Sequence, residues 1–220
     1  MTRNSRQVST AILISGSGTN LQAFIDATRD GLLDLSIVVV VSNQADAYGL
    51  IRAVDAGITT ECVQNKDYPD RAAFDEALVD TLEKYEPELL ILAGFMRILT
   101  ATFVQRYDGK ILNIHPALLP NYPGLNTHQR VIDAGEKWHG STVHFVTEEL
   151  DAGPSILQGR VPVLANDTAD MLSARVQAIE HKIYPQAAAL FASGRLEYKN
   201  GKSWLDGVQL DKPVQYDDVF

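Results

Sequence analysis

Short runs of apolar, mostly β-branched residues alternate along this chain with stretches in which apolar side chains recur every three or four positions. The first pattern predicts strands over 10–15, 35–42, 60–63, 89–93, 110–115, 141–147 and 155–163. The second predicts helices over 19–29, 46–56, 100–107, 126–134 and 168–192. A further helix is expected between the third and fourth strands, where Phe74, Ala77, Leu78, Leu82 and Tyr85 share one face. Asp46, Thr100, Asn126 and Thr168 are placed to cap helix N-termini, and Gly57, Gly135 and Gly194 to close C-termini in the left-handed conformation.

The first two strands, AILIS and IVVVV, are apolar almost throughout rather than at alternate positions. That is the pattern of parallel strands covered by helices on both faces. The fold predicted is α/β, a doubly wound, mostly parallel seven-stranded sheet. Its sixth and seventh strands are separated only by 148–154, too little for a helical crossover, so an antiparallel pair is expected towards the C-terminus. Residues 195–220 read as a terminal hairpin or tail and residues 1–8 as a flexible N-terminus. No composition break or linker interrupts the chain, so one domain over 1–220 is expected. Ligands of such sheets bind at the carboxyl edge, beside a reversal of strand order. The ends of strands one, four and five are therefore the places to look.

Composition narrows the classes of function. At 220 residues with 45% apolar composition, one sizeable core can be buried. Lys and Arg total 19 against 28 Asp and Glu, a net charge of −9, which is the wrong sign for collecting nucleic-acid phosphates. No window holds 18 uninterrupted apolar residues and the polar start lacks a signal-peptide core, so a soluble cytoplasmic protein with no membrane partner is expected. The single Cys62 excludes an intrachain disulfide and a four-thiolate zinc site, and reads as a small buried apolar residue.

Two stretches carry candidate chemistry. In ISGSGTNLQAFID a strand runs through a Gly-rich turn into a helix. Gly16 and Gly18 permit tight turning, and the N–H groups that open the helix face outward with a partial positive charge behind them. A dinucleotide site would need a third glycine near Gln22 and an acidic residue where the second strand ends in Ser42-Asn43, so a single phosphate monoester fits better. Thr19 and Asn20 would add a hydroxyl and an amide. The plainer alternative is that either of them only caps the helix.

In ILNIHPALLPNYPGL, Asn113 and His115 are two apart on a strand and so face the same way, at a rim marked by Pro116. An amide N–H and an imidazolium N–H suit a developing oxyanion, as in acyl transfer. No nucleophilic Ser or Cys accompanies them, which points to direct transfer between two bound substrates. The competing readings are an ordinary strand-end histidine and a metal site drawn from His115, His128, His139 and His144. The latter lacks close carboxylate spacing.

Taken together, LISGSGTNLQAFID, VSNQADAYGL, LAGFMRILT, LNIHPALLPNYPGL, STVHFVTEELDAGPSILQ and RVQAIEHKIYP resemble the glycinamide ribonucleotide formyltransferases of purine synthesis over about residues 9–206. The resemblance implies transfer of a formyl group from 10-formyltetrahydrofolate to the amine of 5′-phosphoribosylglycinamide, without a metal. It implies catalytic roles for Asn113, His115 and Asp151. It implies that Gly18, Thr19 and Asn20 bind the phosphate and that Glu180 contacts the ribose hydroxyls or the glycinamide. Folate contacts are implied for Arg71, Met96, Arg97, Ile98, Leu99, Val104 and Val146, with Asn113 and Asp151. The resemblance leaves monomer and homodimer both open.

Two relatives in chemistry are less well matched. A methionyl-tRNA formyltransferase is expected to carry a further C-terminal RNA-binding domain and a basic surface, whereas this chain is acidic. A formyltetrahydrofolate hydrolase is expected to carry a further domain before the first strand, where about nine residues stand. A non-catalytic binder of folate or of a phosphorylated metabolite would not need Asn113, His115 and Asp151 together.

Overall fold

The computed structural model describes residues 7–216. In chain order the elements are β1 Val8–Ile14, α1 Thr19–Arg29, β2 Leu35–Ser42, α2 Tyr48–Asp55, β3 Thr60–Cys62, α3 Arg71–Glu83, β4 Leu89–Leu92 and α4 Ala101–Arg106. They continue with β5 Ile111–His115, α5 Thr127–Asp133, β6 Trp138–Phe145, β7 Ser155–Pro162, α6 Ala169–Ala192, β8 Leu196–Lys199, β9 Lys202–Leu205, β10 Val208–Gln209 and β11 Val214–Gln215.

The near-continuous apolarity of β1 and β2 has the expected cause. Ile12 and Ile14 point into one core, with Leu21 and Phe24 of α1 and Ile183 and Tyr184 of α6. Ala11 and Leu13 point into the other, with Phe74, Leu78 and Leu82 of α3 and Phe103 of α4. Residues 10–14 of β1 are therefore removed from water whichever way they face, at about 25 cal/mol per Å² of apolar area.

The main sheet has the order β11-β7-β6-β5-β4-β1-β2-β3. Within it β6 runs antiparallel to both β5 and β7, and every other pairing is parallel. This is the doubly wound, mostly parallel α/β sheet anticipated, with eight strands rather than seven. The extra strand is β11, which follows Pro213 and pairs in parallel with β7. Two residues are too few to show a period of two, so the pattern could not reveal it. The rest of the tail, β8 to β10, forms a separate antiparallel three-stranded sheet.

From β1 the chain winds outward to β2 and β3, then returns to β4 on the other side of β1. The reversal between β1 and β4 opens the carboxyl edge there. Three further expectations need correction. Cys62 is exposed, because β3 is the edge strand of the sheet. Thr100 and Thr168 cap α4 and α6, but α2 begins at Ala47 with no side-chain cap, so Asp46 plays no such part. Asn126 precedes α5 at φ 57° without a capping bond, whereas α3 is capped by Asp70.

Burial lowers the pKa of His139 to about 4, with the charges of His128 and His115 acting in the same direction. Burial also lowers His128, His144 and His181. A histidine with a depressed folded-state pKa binds its proton more weakly in the native chain than in the unfolded one. Stability is thus held above about pH 6.5 and lost as the pH falls through the folded values. Thermal melts between pH 7.5 and 4.5 are expected to show Tm falling towards acid, less steeply in His139→Gln. A flat profile would remove the buried histidines from the stability balance.

Candidate active site

The turn after β1 is built on close backbone contact. Gly18 has φ +70°, and a Cβ added there would lie 2.6 Å from the Cα of Gly49. The Gly49 N–H in turn donates to the Gly16 carbonyl at 3.0 Å, and Arg52 Nε donates to the Ser17 carbonyl at 2.8 Å. A Cβ at Gly16 would meet nothing within 4 Å. The turn therefore requires Gly18 and Gly49, and Gly16 much less.

Thr19 and Asn20 open α1, yet neither caps it. Asn20 Nδ2 donates to Glu180 Oε2 at 3.0 Å, and Thr19 Oγ1 accepts from Gln177 Nε2 at 2.9 Å. Both side chains reach across to α6, and the capping alternative fails on that geometry. These residues, with Gly18, Gln177, Glu180 and Ser173, line a cavity of about 320 Å³ between the ends of β1 and β4 and the side of α6. Gln177 was not singled out from sequence; its signal is a polar residue one turn before Glu180 on the same helix face.

Glu180 is buried, and that burial raises its pKa, against the lowering effect of its bonds with Asn20 and Ser141. Counting protons gives the same answer. Ser141 Oγ lies 2.7 Å from the His115 carbonyl and 2.9 Å from Glu180 Oε1, and it has one hydrogen to give. The carbonyl can only accept, so the second contact is satisfied when the carboxyl donates to Ser141. Such a bond favours the protonated carboxyl, the same direction as burial. A group with a raised folded-state pKa stabilises below its ordinary pKa and loses that contribution as the pH rises through the folded value. Glu180→Gln cannot ionise and keeps both bonds, so its Tm at pH 8 is expected to exceed that of the parent by about 2–4 °C, roughly 1 kcal/mol, with no gain at pH 4. A lower Tm at pH 8 would refute the upward shift of the Glu180 carboxyl.

A second cavity, of about 480 Å³, is lined by Met96, Arg97, Ile98, Leu99, Val104, Val146, Asn113 and Asp151. All but one of the residues implied for folate are thus gathered. The exception is Arg71, the exposed first residue of α3, which does not line it. The two cavities share Gly94, Met96 and Ile114.

Asn113, His115 and Asp151 converge beside that shared wall. Asp151 stands in the β6–β7 connection at φ 54°. Its Oδ2 accepts the Gly124 N–H at 2.9 Å and faces His115 Nδ1 at 3.4 Å. His115 Nε2 lies 2.9 Å from the Tyr122 carbonyl, an acceptor only, which places a proton on Nε2. The Nδ1 edge, towards Asp151, is then the edge that can take up or release a proton. His115 itself lines neither cavity, with the Tyr122 carbonyl over its other nitrogen.

The amide of Asn113 is oriented by a partner that sequence reasoning treated only as a possible metal ligand. Asn113 pairs with His144 across β5 and β6, and its Nδ2 donates to His144 Nε2 at 3.1 Å. His144 Nδ1 donates to the Phe145 carbonyl at 2.8 Å, so Nε2 is the acceptor and the ring is neutral. Burial, the largest effect on its pKa, keeps it so. Gly153 is needed in this turn, since a Cβ there would lie 1.7 Å from the Phe145 carbonyl oxygen. The histidines otherwise pair off, His128 with His139 at 3.0 Å. Among the described residues no group of three or more His, Cys, Asp or Glu is placed to hold a metal ion.

The arrangement therefore offers an oriented amide, an imidazole with one edge towards a carboxylate, and two adjoining cavities, one with a phosphate-type turn and one apolar. Comparison with known proteins agrees. Residues 8–188 match the family described as formyl transferase. The phosphoribosylglycinamide formyltransferase of Escherichia coli K12 is 50% identical over 199 residues, 90% of this chain and 94% of that protein. The structure of the Coxiella burnetii phosphoribosylglycinamide formyltransferase superposes with a TM-score of 0.90 at 48% identity, over 94% of this chain and 99% of that one. A formyltetrahydrofolate deformylase from Pseudomonas putida shares the fold at a TM-score of 0.83 but only 27% identity, over 93% of this chain and 72% of that one. By sequence and by structure, the chain belongs to the formyl transferase family.

Proposed function

We propose that this enzyme transfers the formyl group of 10-formyltetrahydrofolate to the amine of 5′-phosphoribosylglycinamide, giving N-formylglycinamide ribonucleotide and tetrahydrofolate. The observation that carries the reading is the shared wall at Gly94, Met96 and Ile114, with Asn113 and His115 on either side of Ile114 in β5. Two substrates bound one in each cavity would meet beside those side chains.

In this reading the Gly18-Thr19-Asn20 turn and Gln177 bind the phosphate at the N-terminus of α1, and Glu180 binds the ribose hydroxyls. The apolar slot of Ile98, Leu99, Val104 and Val146 takes the pterin, while the backbone of 96–99 offers it hydrogen bonds. Arg71, at the outer end, reaches for the glutamate tail. The amine adds to the formyl carbon, and the oxygen gains negative charge in a tetrahedral intermediate. Asn113 Nδ2 and protonated His115 Nδ1 donate to that oxygen, and Asp151 holds the ring in orientation. His115 then relays a proton from the added amine to the departing folate nitrogen, and the carbon–nitrogen bond to folate breaks. No step uses a metal.

The test is loss of the formyl-folate absorbance with and without the ribonucleotide amine. Transfer requires the amine; loss without it would mark a hydrolase, the activity named for the Pseudomonas neighbour.

A further inference from the structure

Segment 94–99, which supplies Gly94 and Met96 to both cavities, lies between β4 and α4 in no regular element. Among the described residues it makes no backbone–backbone hydrogen bond of the kind that fixes turns and loops. Unlike Ile114, which is held in the β5 ladder, this part of the wall common to the two cavities is thus held by something other than a ladder. Its polar tethers are side chains. Met96 N–H donates to Ser15 Oγ at 2.7 Å, and the Thr100 N–H that follows the segment donates to Asp75 Oδ2 at 2.6 Å.

The first tether continues away from the site. Ser15 Oγ donates to Asn43 Oδ1 at 2.6 Å, and Asn43 Nδ2 donates to Asn65 Oδ1 at 3.1 Å. The amide N–H of Met96 can only give, so Ser15 receives it, and Ser15 has its own hydrogen to pass to Asn43. With its Nδ2 on Asn65 Oδ1, Asn43 presents Oδ1 to Ser15. Asn43 is 3% exposed and lines neither cavity. It stands just after β2, at the position where the absence of an acidic residue argued against a nicotinamide cofactor, and that reading left it without a role.

We propose that Asn43 is a positioning residue for formyl transfer, acting through Ser15 on the Met96 backbone and so on the wall common to both cavities. A buried acceptor of fixed orientation keeps Ser15 pointed so that its lone pair receives Met96 N–H. Without it, the hydroxyl can turn and the wall loses one of its two tethers. Low local stability then has to be made up when substrate binds. The inference rests on the two-cavity reading of the site.

The experiment compares Asn43→Ala with Asn43→Asp, which keeps an oxygen for Ser15. In Asn43→Ala the KM for both substrates is expected to rise about fivefold to tenfold, the loss of one hydrogen bond's ordering. Asn43→Asp is expected to return both to within about twofold of the parent, on the same order of reasoning. Amide exchange followed by NMR gives a readout that needs no substrate. Met96 N–H is expected to exchange about tenfold faster in Asn43→Ala, while Thr100 N–H, tethered independently by Asp75, keeps its rate. A folded Asn43→Ala with unchanged KM values and unchanged Met96 exchange overturns the proposal, as does a lowered Tm with no change in either. Should Asn43→Ala fail to fold, Asn65→Ala frees the amide from its far side. Faster Met96 exchange in that variant supports the relay, and an unchanged rate overturns it. Failure of the parent enzyme to transfer formyl to the amine would instead sink the functional reading, and leaves the exchange result standing by itself.

Discussion

His115→Ala is expected to lower kcat about 10²–10³-fold with KM values changed far less, the loss of about 2.7–4 kcal/mol that follows removal of one oxyanion donor. The physical reason is that charge on the formyl oxygen exists only after the amine has added, so a donor aimed at it stabilises the transition state more than the bound substrates. In the proposed mechanism His115 has a second duty, the proton transfer, and its alanine variant would lose both. Asn113→Ala is expected to cost a similar factor through the oxyanion alone. The double variant should fall short of the product of the two, since both act on one oxygen. Steady-state kinetics alongside a thermal melt separates this from unfolding. The His115 contact with the Tyr122 carbonyl is also lost, a stability cost of about 1 kcal/mol that leaves the chain folded. Turnover within a few-fold of the parent in either single variant would remove that residue from the chemistry.

Gly18→Ala carries the second large effect, and it should fall on one substrate. At φ +70° an alanine costs about 1–3 kcal/mol in backbone strain. The added methyl would also stand 2.6 Å from the Cα of Gly49, which is backbone and cannot rotate away. Gly49 cannot retreat either, because a Cβ on its own Cα would lie 2.5 Å from Ile14 Cδ1, in the fully buried end of β1. The turn must open, and the N–H groups that start α1 move off the phosphate. The KM for the ribonucleotide is expected to rise at least about tenfold, the equivalent of 1.4 kcal/mol, while the KM for formyl-folate stays within about twofold. Gly16→Ala is the control, with space for its methyl and an effect expected near zero. Equal losses on both substrates would mean that the turn does not hold the phosphate.

These contrasts show which parts of the molecule local sequence can express. The strand and helix positions, the parallel core and the antiparallel β6–β7 pair followed from periodicity and connection length, because each is a property of neighbours along the chain. The strand β11 did not, having two residues and no period. In the site, Asn113 and His115 stood out by their spacing on one strand, and the Gly-rich turn by its position. Asp151 became a candidate only through family resemblance. Its Asp-Ala-Gly surroundings read as an ordinary turn, and its role depends on a 3.4 Å approach to a side chain thirty-six residues away.

What the chain's own pattern determined was the layered architecture and the edge of the sheet where chemistry belongs, since apolar spacing and Gly or Pro placement act over a few residues. Only the tertiary structure decided that Gly49 rather than Gly16 shapes the Gly-rich turn, that Thr19 and Asn20 serve α6 instead of capping α1, and that His144 turns the Asn113 amide. It alone buries Glu180 against Asn20 and Ser141 and sets Arg71 outside the cavity wall. Each of these is a contact or a desolvation between segments distant in sequence, and hydrogen-bond direction and burial do not exist until those segments are brought together.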